Sequence, residues 1–253
     1  MAIYVCSDIH GSYDLLQTML KKIQFSKTDK LYIIGDIIDK GLQPMEILEF
    51  CMENDNVTLL MGNHELMMYK AYTIDNESDL WFLNGGLYTC RQFESLSMQK
   101  QDAIFDYIEN LPVIIKDVEV NGKTFYLSHA TYFPYNLQDN KKEFTISDIG
   151  LQKADNLLWQ RNYPFENITN SCAYREHKKS ILISGHTVGI KLYEKDLKLQ
   201  YAGKAFIYRH NGHYINLDCG LAYRHALFKS FIPRLGVLRL DDMKEFYVEL
   251  KNI

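Results

Sequence analysis

Between Ala2 and Tyr72 the chain repeats one grammar three times: a short run of strand-forming apolar residues, a polar loop, then a stretch with helical periodicity. Ala2 to Cys6 stops at Ser7-Asp8-Ile9-His10-Gly11, after which Leu15, Leu16, Met19, Leu20 and Ile23 recur at helical spacing with Ser12 as candidate N-cap. Leu31 to Ile34 ends in Gly35-Asp36, and Pro44 opens a helix whose Ile47, Leu48 and Cys51 share a face. Val57 to Leu60 gives way to Gly62-Asn63-His64-Glu65 and a helix through about Tyr72. Adjacent parallel strands need crossovers of this length, so the pattern predicts an α/β fold built on a layered sheet. Ligands of such sheets bind beyond the carboxyl ends of the strands, where these polar loops converge.

After Leu111 the grammar changes. Val113 to Val120 and Lys123 to Leu127 flank Asn121-Gly122, and Phe206 to His210 and His213 to Leu217 flank Asn211-Gly212, which predicts two hairpins with two-residue turns. Val237 to Leu240 with Glu245 to Leu250 reads as a third pair, and Ile181 to Ile183 as a short strand, so the second half is expected to be mainly antiparallel. Asp75 to Leu111 reads as helical and irregular, with Asn84-Gly85-Gly86 as a turn and no legible chemistry. No repeat, low-complexity tract or Pro/Ser-rich linker divides the sequence. The expectation is one domain over residues 1–253, a sandwich of mixed β-sheets flanked by helices.

A composition of 47% hydrophobic and 24% charged residues excludes a disordered or fibrous chain. The net charge of -4, with both signs interspersed, leaves no footprint of a nucleic-acid binder. Five scattered cysteines (Cys6, Cys51, Cys90, Cys172, Cys219) form no CxxC pair, which argues against a disulfide framework or thiolate zinc site and reads as thiols of a reducing compartment. No segment approaches the roughly 18 apolar residues that span a bilayer, and no basic n-region precedes the first apolar run. The expected location is the cytoplasm, with neither membrane nor nucleic acid as partner.

The residues that follow the expected strands are Asp8 and His10, Asp36 and Asp39, Asn63 and His64, His129, and His186. Carboxylate, imidazole and amide oxygen together suit borderline-hard divalent ions such as manganese, iron or zinc. Six candidate ligands exceed what a single open site needs, so two ions are expected. His177, His210, His213 and His225 fit no such pattern and read as solvated or core residues.

Asp8-Ile-His10, Gly35-Asp36-Ile-Ile-Asp39-Lys40-Gly41, Gly62-Asn63-His64-Glu65, Ser128-His129 and Gly185-His186 resemble the signature series of the phosphoprotein-phosphatase branch of the calcineurin-like metallophosphoesterases. The bacterial and phage members and the symmetrical diadenosine tetraphosphatases are the nearest in size, and the resemblance runs from Asp8 to Gly220. It implies that Asp8, His10 and Asp36 hold one metal, that Asp36, Asn63, His129 and His186 hold the other, and that Asp36 bridges. Two such ions, roughly 3.5 to 4 Å apart, share a hydroxide nucleophile and clamp the phosphoryl oxygens. The resemblance further implies that His64 acts as general acid, oriented by Asp39, because a carboxylate on one ring nitrogen fixes the tautomer and favours the imidazolium.

Lys40 stands where the family usually has arginine, and Met61 where its protein-phosphatase members usually have another. Lysine is a point charge without the planar fork, so its grip on a phosphate is differently aimed. Arg161 resembles the family's substrate-binding arginine and joins Lys40 and Asn63 as a candidate substrate contact. Retention of Asp39 and Glu65 tilts the reading toward phosphoprotein phosphatases and away from diadenosine tetraphosphatases, which often lack the first and carry Asp for the second. A non-catalytic binding module would have lost a ligand; the sequence has lost none.

Overall fold

The computed structural model describes residues 1–130, 141–161, 180–198, 200–226 and 231–250; Cys172 and His177 lie outside them. β1 (Ile3–Cys6), β2 (Lys30–Ile34) and β3 (Val57–Leu60) pair in parallel, as their grammar predicts. β12 (Arg234–Arg239) adds antiparallel to the free side of β1, and β13 (Lys244–Glu249) follows it. The sheet order is β13-β12-β1-β2-β3.

In the second sheet, β4 (Ile114–Val120) and β5 (Lys123–Ser128) form the expected hairpin, and Asn121 and Gly122 both take positive φ, 48° and 76°, as a turn matched to strand twist requires. β7 (Ser180–Ser184), β10 (Tyr214–Asn216) and β9 (Tyr208–His210) continue from β5, the two-residue β6 (Glu143–Phe144) borders β4, and β8 (Gly203–Lys204) pairs apart with β11 (Phe231–Ile232). The expectation of an antiparallel second half holds for the three hairpins but not for β7, which runs parallel to both β5 and β10. A two-residue turn enforces antiparallel pairing; β7 is reached through long connections that permit a crossover.

Period-two alternation assigns each strand residue to a layer. Val5, Ile34 and Leu60 of the first sheet meet Phe125, Leu127, Ile183 and Ile215 of the second in one buried cluster, the filling of the sandwich. Their neighbours Tyr4, Cys6, Leu31, Ile33 and Leu59 face outward into a second cluster, under Leu16 and Met19 of α1 (Tyr13–Lys22) and Ile47 and Leu48 of α2 (Pro44–Glu53). Ser12 occupies the N-cap position of α1, but its side chain makes no capping bond. The 75–111 region resolves into α4 (Ser78–Leu83), α5 (Leu87–Glu94) and α6 (Met98–Glu109), behind α3 (Asn63–Thr73). Cys6, Cys51, Cys90 and Cys219 are buried free thiols. No helix among the described residues is long and apolar enough to cross a membrane.

Candidate metal centre

The loops leaving β1 and β2 continue the ladder of their strands: the Asp8, His10 and Gly11 N–H groups donate to the carbonyls of Gly35 (3.2 Å), Asp36 (3.0 Å) and Ile37 (2.7 Å). Asp8, His10, Asp36, Asp39, Lys40 and His186 all take positive φ, between 46° and 66°. Side chains rarely accept that conformation, and it persists where surrounding bonds over-determine it. The consequence is that successive polar side chains turn toward one point at the carboxyl ends of the strands.

Asp36 is that point. Its Oδ2 lies 3.8 Å from His10 Nε2 and 3.9 Å from His64 Nε2, and its Oδ1 lies 3.3 Å from His129 Nε2. Two donor groups result, one of His10, Asp36 and His64, the other of Asp36, His129 and His186. His10 Nδ1 donates to the Ile38 carbonyl at 3.1 Å and His129 Nδ1 to the Ile34 carbonyl at 2.9 Å, which turns each Nε2 toward Asp36, with a lone pair on His10 and, on His129, a proton that a cation would have to displace. His129 Nε2 and His186 Nδ1 also converge on Asn63 Oδ1, at 3.0 and 2.9 Å. Electron-pair donors facing one another in a buried site are mutually repulsive unless a proton or cation lies between them, and this set of nitrogens and oxygens fits a borderline-hard divalent cation. Asp8 reaches the second group through the His186 N–H, which donates to its carboxylate at 3.1 Å, while the Ser7 hydroxyl donates to the same oxygen. His186 Nε2 is buried without a hydrogen-bond partner among the described residues.

The electrostatics carry the same demand for positive charge. Burial alone would raise the Asp36 carboxyl, but His129 and His64 hold it well below the usual carboxylate range. For His129 burial disfavours the charge, yet Asp36 and Asp8 raise it to about 10. His10 and His186 go the other way, to about 3 and about 2, through burial and then repulsion from His64 and His129 respectively. Burial, then Asp218, pushes Asp8 well up, and burial raises Asp218 to about 6.

His64 differs from the other three imidazoles in its partner. Its Nδ1 donates to Asp39 Oδ2 at 2.6 Å, a carboxylate and not a carbonyl, and Asp39 is fully buried. Burial opposes protonation of His64, but Asp36 and Asp39 together raise its pKa. Arg161 lies at the rim, where Nη1 donates to Thr187 Oγ1 at 3.2 Å. Lys40 follows Asp39 and lies along Gly85. Met61 is wholly buried and its N–H bonds the Pro112 carbonyl, so no cation stands there.

Three residues that shape the site, Trp81, Thr89 and Arg224, escape the sequence reading, and Glu65 enters it only as part of its motif, without a structural role. Glu65 accepts from the N–H groups of Asp36 and Gly62 (both 2.8 Å) and Ile37 (2.9 Å). Trp81 and Thr89 bond Asp39. Arg224 reaches back to the carbonyls of Ile9 and His10. Glu65 is legible as the last residue of the Gly62-Asn63-His64-Glu65 motif; the other three sit in segments whose hydropathy reads only as helix or loop.

The fold and this centre define a metal-dependent phosphoesterase. The calcineurin-like phosphoesterase family model matches residues 1–215, and the chain belongs to that family. It is 30% identical over 161 residues to serine/threonine-protein phosphatase 2 of Salmonella typhimurium, covering 63% of this chain and 68% of that one. It is 31% identical over 143 residues to the symmetrical bis(5'-nucleosyl)-tetraphosphatase of Erwinia tasmaniensis, covering 53% of this chain and 46% of that one. The chain thus spans about half to two thirds of the length of these relatives. A metallophosphoesterase from Sphaerobacter thermophilus shares the fold, with a TM-score of 0.57 at 16% identity over 99% of this chain and 88% of that one.

Proposed function

We propose that residues 1–253 act as one catalytic domain, a two-metal phosphoric ester hydrolase of the serine/threonine phosphoprotein phosphatase type. The observation that carries this reading is Asp36, common to both donor groups; His64, the third member of the first group, has its Nδ1 tied to Asp39, and Asp8 stands beside the second group through the His186 N–H. Asp8, His10 and Asp36 would hold one divalent ion, and Asp36, Asn63, His129 and His186 the other. Such ions, manganese, iron or zinc, supply when bound an acidified water and a clamp on the phosphoryl oxygens. The chain's own residues do the rest. Lys40 and Arg161 bind the phosphate, with Asn63 beside them, and His64 gives its Nε2 proton to the leaving oxygen while Asp39 holds Nδ1. A histidine fixed at one ring nitrogen by a buried carboxylate presents the other nitrogen as the proton donor.

A second reading, hydrolysis of symmetrical dinucleoside polyphosphates, is favoured by the 31% identity to a tetraphosphatase. The two are separated by turnover with manganese of para-nitrophenyl phosphate, a phosphoserine or phosphothreonine peptide, and diadenosine tetraphosphate. The phosphatase reading expects phosphate release from the peptide, with Asp36→Asn and His64→Asn each losing on the order of a hundredfold or more. Release of ADP from diadenosine tetraphosphate with little peptide turnover selects the second reading. Unchanged turnover in both variants overturns the assigned roles.

A further inference from the structure

α4 and α5 form a tight helical hairpin through Asn84-Gly85-Gly86, and its inner face meets the Asp39–His64 pair. Trp81 Nε1 donates to Asp39 Oδ2 at 2.9 Å, the oxygen that also accepts from His64, and the Thr89 hydroxyl donates to Asp39 Oδ1 at 2.6 Å. Thr89 Oγ1 in turn accepts from the Asp39 N–H at 3.1 Å, closing a small ring that ties side chain and backbone of Asp39 to α5. Asp39, Trp81 and Thr89 are all fully buried, so water does not compete for these bonds. Gly86 lies so close to the indole that any Cβ there would collide with Trp81, which fixes the ring over Asp39. Lys40, the neighbouring candidate phosphate contact, lies along Gly85 of the same turn.

We infer that the α4–α5 hairpin is the holder of the proton-donating pair, with Trp81 and Thr89 as positioning residues that fix the direction of the Asp39 carboxylate and through it the His64 ring. This rests on the reading of His64 as proton donor. A carboxylate bonded only to an imidazole is free to rotate about its terminal torsion, and the imidazole rotates with it. Two further donors from a rigid helical hairpin remove that freedom, so His64 Nε2 stays aimed beside Asp36. Pre-positioning of this kind acts on the step that needs the proton and on no other.

The test follows from that selectivity. A leaving group that departs as a stable anion needs little protonation, whereas a poor one depends on it. The manganese-loaded full chain is assayed on 2,4-dinitrophenyl, para-nitrophenyl and phenyl phosphate, with KM, bound manganese and melting temperature measured for each variant. Thr89→Val keeps the shape of the side chain and removes the hydroxyl. It is expected to lower kcat on phenyl phosphate by about tenfold while leaving 2,4-dinitrophenyl phosphate within about twofold, with KM and manganese content unchanged. Thr89→Ser, which restores the hydroxyl, is expected to recover the parent profile. Trp81→Phe, which removes only the indole donor, is expected to show the same leaving-group selectivity and decides the matter by itself if Thr89→Val does not fold. Equal loss on all three substrates, or none, in a folded variant overturns the positioning role, provided His64→Asn shows a steeper leaving-group dependence than the parent chain. A His64→Asn profile no steeper than the parent's overturns the proton-donor reading and this inference together.

Discussion

At Glu65 a buried carboxylate pairs the inward-facing amides of the Asp36 loop. Asp36 has φ 54°, Gly62 passes against its amide, and the N–H groups of Asp36, Ile37 and Gly62 all point inward, away from any strand partner. Unpaired buried amides cost free energy comparable to a lost hydrogen bond each, and both oxygens of Glu65 are used to satisfy them. Burial and the proximity of Asp36 push its carboxyl up, and the amide bonds oppose that shift. Glu65→Gln replaces one acceptor oxygen by an NH2 group facing N–H donors, so it should destabilise the fold by about 2–4 kcal/mol, measured as a shift in the urea midpoint at constant slope. Glu65→Asp, a chain one methylene shorter, should fall on the same side. This gives a physical content to the glutamate that the GNHE motif carries: wholly buried, it sets the geometry of the Asp36 loop.

At the scale of elements, the site is the place where the loops of three strands come within backbone contact. Gly35, at φ 69°, lies against Gly62, and a Cβ there would stand 2.5 Å from Gly62 Cα and 2.9 Å from His129 Nδ1. Gly35→Ala therefore forces the β2 and β3 loops apart and turns the His129 ring, in addition to straining a left-handed backbone. The expected outcome is a loss of roughly 3 kcal/mol or more of stability and weaker manganese binding, read by calorimetry on folded protein at low temperature. These elements were largely legible beforehand: the period of two in Tyr4, Val5 and Cys6, the helical spacing of Leu16 and Met19, and the Asn-Gly turns each have a local physical cause that leaves its mark on adjacent residues. Asp8, His10, Asp36, Asp39, Asn63, His64, His129 and His186 were legible because polar side chains ending apolar runs have no local reason to be there. What could not be read were contacts between distant segments. The parallel placement of β7 depends on a crossover, the Trp81 and Thr89 bonds to Asp39 join residues 42 and 50 positions apart, and neither leaves a periodicity in its own segment.

At the scale of the whole molecule, the charge of the centre is a load on the fold. Asp8, Asp36, Glu65 and Asp218 are buried together with His10, His64, His129 and His186, and burial disfavours the charged form of every one of them. In the metal-free protein the His129 proton is part of the compensation. Its pKa of about 10, set by Asp36 and Asp8 against burial, lies above the ordinary imidazole value, so this proton's contribution to stability is fully present below pH 6.5 and is lost as pH rises through about 10. A divalent cation that takes the same Nε2 lone pair must displace that proton, and binding becomes tighter as the proton becomes easier to remove. Between pH 6 and 8 manganese affinity should rise by up to about tenfold per pH unit for each proton released. Because ligand binding stabilises the native state by RT times the logarithm of one plus the ratio of free cation to its dissociation constant, the melting temperature gained at fixed manganese should grow over the same interval. The measurement is a set of thermal melts with and without manganese at pH 6, 7 and 8, with calorimetric proton release in two buffers of different ionisation enthalpy. His129→Gln, which has no proton to displace, should flatten the pH dependence; a manganese gain that is large and independent of pH in the parent chain would show that the cation is held without displacing the His129 proton.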